Sequence, residues 1–435
     1  MEQRRKNLTQ LFIPICLETL LYMLSGMVDT LMLSSVNDQA VGAVGTANTY
    51  IGIFIIMFSV ISSGMVAVMT QNIGAGRPGV AYQARQLGLA FNAVLGVIMS
   101  LFLSLGAGTI LSGVGVADAL MQPAKTYLQI VGGFCILNAL IPICSSYLRA
   151  FGFSKEPLYA SIIGNVINFC LNAFFLFVLH KGVAGVATAT VISRIINLVI
   201  VVLLGAVLVK AKQHPERESN RAVMGQIIRI GLPSACETAI YNVSMTLVIR
   251  FLNQMDAQGL NVTARSYTMQ ITNFSYCVGA ALAQANAIMT GWHIGAKEYD
   301  ACDRGTKKAA VIGVIVAVIL ETVFTLCSGW IMQLFSKDPQ MVSLVGKLLA
   351  IDIVLEIGRV TNLVYGQALK TSGDAVFPVV MGACFMILCS VGATYLFGIR
   401  LVLLAVGAYI GMTGDECVRS FGKYLRWKSG KWKEK

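Results

Sequence analysis

The feature that most limits what this chain can fold into is a succession of long apolar runs separated by short polar turns. About 20 apolar residues in a helix cross the hydrocarbon of a bilayer. Runs of that kind fall near 9–34, 43–71, 85–111, 124–148, 156–180 and 182–209, then near 226–252, 259–290, 307–334, 340–368, 375–398 and 400–422. Twelve such runs leave only short connections in a chain of 435 residues, so no separate soluble domain fits. Charged residues make up 12% of the chain, about half the share of near 25% usual in soluble proteins. The reading is an all-α integral membrane protein of twelve transmembrane helices, with the lipid bilayer as its solvent.

The basic residues then orient it. With the amino terminus in the cytoplasm, 24 lysines and arginines fall on the cytoplasmic side and 7 on the other, leaving Arg194 and Arg359 inside spans. Positive charge accumulates on the cytoplasmic face, which places both termini there and the protein in the plasma or inner membrane. The net charge of +12 is thus a matter of topology, and no nucleic-acid partner is expected. The tail from Arg426 to Lys435, with two tryptophans, reads as an interfacial anchor. Arg4, Arg5 and Lys6 precede a run too long for a cleavable signal.

The chain is also duplicated. Pro14, Glu18, Thr19 and Tyr22 recur as Pro233, Glu237, Thr238 and Tyr241; Ile73-Gly74-Ala75 recurs as Ile294-Gly295-Ala296. Leu148-Arg149, Gly152 and Pro157 recur as Leu369-Lys370, Gly373 and Pro378, always at an offset of 219 to 221. This divides the chain into an amino-terminal six-helix lobe (1–209), a cytoplasmic linker (210–225) and a carboxyl-terminal lobe with its basic tail (226–435). An even number of spans per copy makes the repeats parallel, and substrate sites in such proteins lie near the midplane.

A charged side chain deep in a bilayer costs about 2.5–3.5 kcal/mol on insertion scales, so each one asks for a reason. Glu18, Tyr22, Ser25 and Asp29 share one face of the first span. Asp29 is the candidate for a cation or proton. In the fifth span Asn165, Asn168 and Asn172 form an amide stripe, suited equally to helix packing and to holding a cation or carboxylate. The carboxyl lobe has a possible polar site in Glu237, Tyr241 and the one-faced set Asp352, Glu356 and Arg359. That set serves equally well as a structural ion pair. Val248 stands where the repeat would place a second Asp29, so the lobes have diverged in charge. No phosphate-binding loop, HExxH, GxSxG or CxxC pattern occurs, so neither an ATP-driven pump, an enzyme nor a structural metal site is expected.

Several ordered motifs carry a family resemblance. They are Val28-Asp29-Thr30 after Pro14, Gln71 to Gly76, Leu148 to Gly152, and Gly185-Val186-Ala187 with Ala189 to Ser193. In the second half come Gly231-Leu232-Pro233, Gly291 to Gly295, and Leu369 to Gly373-Asp374. Together they resemble the multidrug and toxic compound extrusion (MATE) family over nearly the whole length. The resemblance implies two six-helix lobes forming a V around a central cavity. It implies antiport of amphipathic, cationic organic compounds against Na⁺ or H⁺, with no other cofactor and a monomer as the working unit. The family's amino-lobe cation site maps onto Asp29, Asn168, Asn172, Thr190 and Tyr127. Asn172 stands where some members carry a second aspartate, and Tyr241 where another subgroup carries a glutamate. Pro14 removes a backbone hydrogen bond early in the Asp29 helix and is the expected bending point. The rival transporter is a flippase of lipid-linked saccharides, which predicts basic residues along the cavity; only Arg194 and Arg359 lie deep enough.

Overall fold

A computed structural model of the chain describes residues 6–35, 38–113, 116, 118–210, 216–255, 259–333 and 335–434. Arg4, Arg5, Lys212, His214 and Lys435, used above for topology and the linker, lie outside the described residues. Among the described residues the secondary structure is helical throughout, with no strand.

The first half runs α1 (Leu8–Ser34), α2 (Asp38–Gly74), α3 (Pro78–Leu105), α4 (Ala107–Gly113), α5 (Asp118–Tyr127), α6 (Ile136–Ala150), α7 (Lys155–Ala173) and α8 (Gly182–Leu208). The second runs α9 (Asn220–Met255), α10 (Leu260–Gly295), α11 (Tyr299–Leu326), α12 (Ser328–Met332), α13 (Pro339–Thr371), α14 (Val376–Phe385) and α15 (Leu404–Lys428). Wider π-helical turns extend α5 (Leu128–Gly132), α7 (Phe174–Val178) and α14 (Met386–Arg400). A short 3₁₀ turn closes the tail (Lys431–Glu434). Helix α9 begins at Asn220, inside the stretch read from sequence as linker.

Seven of these helices are long and apolar enough to cross a membrane, and α5 with α6 makes an eighth span bent by 43°. Helices α9, α10, α13 and α15 fall outside that group although each has 25 residues or more. They are also the helices that bury Glu237, Arg265, Asp352, Glu356, Asp415, Glu416, Arg419 and Lys423. Polar groups there are shielded by neighbouring helices, so hydropathy along the chain underrates them. With these four the spans number twelve, as expected. Arg149, Arg419, Lys423 and Arg265, counted above as flanking charges, are buried among helices. Without them the balance is 21 to 6, and the asymmetry stands.

The repeat has a physical basis at its helix ends. Helix α6 stops at Gly152 (φ 86°) and α13 at Gly373 (φ 95°), conformations a side chain resists. In each copy the glycine N–H donates to Arg149 or Lys370, and the next N–H donates to Leu148 or Leu369. These paired bonds satisfy carbonyls that a helix end otherwise leaves open. The chain separates into two compact units, Met1–Gly231 and Leu232–Lys435. The first holds α1 against α7, α2 against α3 and α7 against α8; the second is built around α13, packed on α10, α11 and α15.

The tail departs from its reading as an interfacial anchor. Trp427 and Trp432 stack with ring centroids 4.1 Å apart and are 1% and 2% exposed. Trp427 Nε1 donates to Asp303 of α11 at 2.9 Å, and Tyr299 meets Trp432 edge-on. The rings are buried by protein because their N–H groups find acceptors there. Replacing Trp432 with leucine removes the stack at a cost of about 0.5–1.5 kcal/mol. The expected result is a small fall in melting temperature with loss of the paired-indole signal in near-ultraviolet circular dichroism.

Candidate functional site

Two groups of intramembrane polar residues emerge, one in each unit. In the first, α1 and α7 pack together and bring their polar faces into register. Near one end, Arg149 of α6 donates to Glu18 at 2.5 Å, so that carboxylate is balanced. Further along, Asn172 Nδ2 donates to Asp29 Oδ1 at 2.6 Å and to Asn168 Oδ1 at 3.2 Å. Asn165, the third of the amide stripe, donates to the Leu21 carbonyl at 3.4 Å. The spacing of three and four thus serves both purposes weighed in the sequence: Asn165 holds a helix, while Asn168 and Asn172 reach the acid.

Asp29 differs from Glu18 in one respect that matters. Among the described residues no lysine or arginine forms an ion pair with it, and the guanidinium of Arg194 in α8 acts on it only through space. Asn172 is fully buried, and its carbonyl oxygen has no hydrogen-bond partner among the described residues. A carboxylate and an orphaned carbonyl side by side form an oxygen-rich corner suited to a proton or a small hard cation. Tyr127 is buried at the end of α5, 4% exposed. Thr190 is buried on α8, and its hydroxyl donates to Val186 O at 2.9 Å, leaving its lone pairs as acceptors. Helix α1 continues unbroken through Pro14.

The carboxyl lobe sorts its candidates differently. Glu237 accepts from Lys423 at 2.9 Å and forms an ion pair with Lys370 at 2.6 Å, so two cations face one carboxylate. Since Lys370 repeats Arg149 and Glu237 repeats Glu18, the duplication has preserved an ion pair. Tyr241 is half-buried on α9, one helical turn beyond Glu237. Asp352 and Glu356 are buried on α13, with Arg359 bonded to Glu356 one turn on. Sequence reasoning left out their neighbours Glu321 on α11 and Asp415, Glu416 and Arg419 on α15. Arg419 forks onto Asp415 at 2.8 and 2.7 Å and reaches Glu416 at 2.9 Å. A lone glutamate inside the apolar α11 is the same signal that singled out Asp29; its partners are not readable because they lie on another helix.

The comparisons with known proteins bear on both lobes. The MatE family model matches residues 14–174 and again 233–396, one match per copy and most of the chain. The chain belongs to the MATE family. It is 33% identical to the uncharacterized transporter YisQ of Bacillus subtilis (strain 168), over 97% of this chain and 94% of that protein. It is 23% identical to the probable multidrug resistance protein NorM of Thermotoga maritima, over 99% and 94% of the two chains. Among solved structures, a MATE crystal structure in the straight conformation superposes with a TM-score of 0.89 at 19% identity, covering 98% of this chain and 96% of the other. An outward-facing multidrug resistance MATE transporter gives 0.86 at 18%, covering 97% and 94%. This MATE protein is therefore a multi-pass membrane transporter, and the twelve-helix architecture is that of its relatives.

Proposed function

We propose that this MATE protein is an antiporter that exports amphipathic organic cations across the cytoplasmic membrane, driven by Na⁺ or H⁺ entering at Asp29. Both termini lie in the cytoplasm, and the monomer is the working unit. The observation that carries the reading is an intramembrane carboxylate held by Asn172, without a basic ion-pair partner among the described residues, beside a buried carbonyl that has no hydrogen-bond partner among them. Its oxygens can take a cation, with Asn168 bonded to the same Asn172 amide and Thr190 and Tyr127 as the further donors of this reading. The multidrug names of several relatives support the substrate class. Coupling arises if the ion and the drug favour different access states of the transporter. Neutralising Asp29 relaxes its demand on Asn172, and Pro14, lacking one backbone hydrogen bond, lets α1 respond by bending.

The test is dye efflux from purified protein in liposomes under an imposed Na⁺ or pH gradient. Wild type is expected to show gradient-dependent flux, and Asp29→Asn at equal incorporation to lose that component. Flux surviving unchanged in the variant would remove Asp29 from the coupling mechanism.

A further inference from the structure

The carboxyl lobe contains an arrangement that the Asp29 reading does not use. Glu321 of α11 and Asp352 and Glu356 of α13 each bring a carboxylate oxygen within 4.8 Å of the other two. Oxygens gripping a Ca²⁺-sized ion from three sides at 2.3–2.6 Å stand about 4.0–4.5 Å apart. The spacing therefore fits an ion with small side-chain adjustments. Glu321 and Glu356 are fully buried, and Asp352 is 2% exposed. Both oxygens of Glu321, Oδ2 of Asp352 and Oε2 of Glu356 have no hydrogen-bond partner among the described residues. The Ser275 hydroxyl of α10 lies beside Glu321 and has no other hydrogen-bond partner among the described residues.

Arg359 is bonded to Glu356 and lies 4.0 Å from Glu416. It is the one cation paired with the three carboxylates among the described residues. Arg419 is committed to Asp415 and Glu416, which also accept from Ser390 and Asn362. Arg265 of α10 points elsewhere, its guanidinium 3.8 Å from Met245 Sδ. Tyr409 of α15 is buried in the same lobe. The three acids with Arg359 thus leave at least two negative charges uncompensated inside a lobe, and isolated buried charges cost several kcal/mol each.

We propose that Glu321, Asp352 and Glu356 form a second cation site, independent of Asp29, that binds a hard cation. The two missing positive charges are supplied either by one divalent ion or by one monovalent ion together with a proton. Oxygen-only donors without sulfur or imidazole select hard ions over soft transition metals.

The experiment is equilibrium binding of radiolabelled Ca²⁺ or Na⁺ to the full-length protein in lipid nanodiscs, at mildly alkaline pH in choline buffer. Thermal unfolding is followed in the same samples. One of the two ions is expected to bind and raise the melting temperature in wild type and in Asp29→Asn. Glu321→Gln is expected to weaken that binding roughly tenfold or more, as loss of a ligand contact does. Proton release separates the sources: two protons displaced by Ca²⁺, one by Na⁺. Should Glu321→Gln fail to fold, Asp352→Asn gives the same reading. Stabilisation by acid alone, with neither ion bound, overturns the proposal, as does binding lost in Asp29→Asn and kept in Glu321→Gln. Because binding is read at equilibrium and coupling by flux, failure of one leaves the other standing.

Discussion

Glu237→Gln is expected to destabilise the carboxyl lobe by about 3–5 kcal/mol, the usual cost of removing one partner from a buried ion pair. The carboxylate is 8% exposed and stands between Lys370 and Lys423, at 2.6 and 2.9 Å. Glutamine keeps the shape and removes the charge, leaving two ammonium groups facing each other. Lys423 is 2% exposed and has no route to water. The penalty is therefore desolvation of an uncompensated charge, not loss of an attraction, and this makes the result checkable. Adding Lys423→Met to Glu237→Gln is expected to restore much of the melting temperature, since apolar replacement of a whole buried pair is often neutral. A double variant as unstable as the single one would mean that Glu237 matters through packing alone. In the amino lobe Glu18→Gln takes the paired acid from one arginine whose side chain is 10% exposed, so a smaller loss is expected there.

The second large effect is steric. Within the first unit, α2 meets the beginning of α9 with backbone against backbone: a Cβ at Gly64 would stand 2.0 Å from the Ile227 carbonyl oxygen. One at Gly231 would stand 1.7 Å from that of Val60. Carbonyls cannot rotate aside as a side chain can, so the helices themselves must separate. Small residues at membrane helix crossings exist for such approaches. Gly64→Ala is expected to cost about 1–3 kcal/mol or more from overpacking, read as a drop in melting temperature and in folded yield. Gly52 lies on the same helix with nothing within 4 Å of its Cβ position. There alanine is expected to be neutral or slightly stabilising, by up to about 1 kcal/mol of helix propensity. Equal behaviour of the two variants would refute the close crossing.

Most of the fold was legible because lipid leaves helices few alternatives. The twelve runs, their order and the duplication all followed from one-dimensional patterns. What the patterns could not reach was contact between helices. Glu18 and Arg149 were both conspicuous, as were Glu237 and Lys370, yet 131 residues separate the first pair. Nothing in spacing along the chain announces a bond across that distance. Asp352, Glu356 and Arg359 shared a face by simple periodicity, whereas Glu321 joins them only because α11 packs on α13. Asp29 with Asn168 and Asn172 shows the middle case. Each helix face was readable, and resemblance supplied the pairing that the 2.6 Å hydrogen bond now describes.

The paired acids and bases of the two halves also carry a history. Glu18 with Arg149 and Glu237 with Lys370 are one contact inherited twice, so it predates the duplication. The ancestor was then a six-helix protein already carrying a charge clasp across its own bundle. Having an even number of spans, it inserted the same way round in both copies and never needed to exist in two orientations. One copy could keep an acid where the other settled on Val248, while the second gathered acids of its own on α11, α13 and α15.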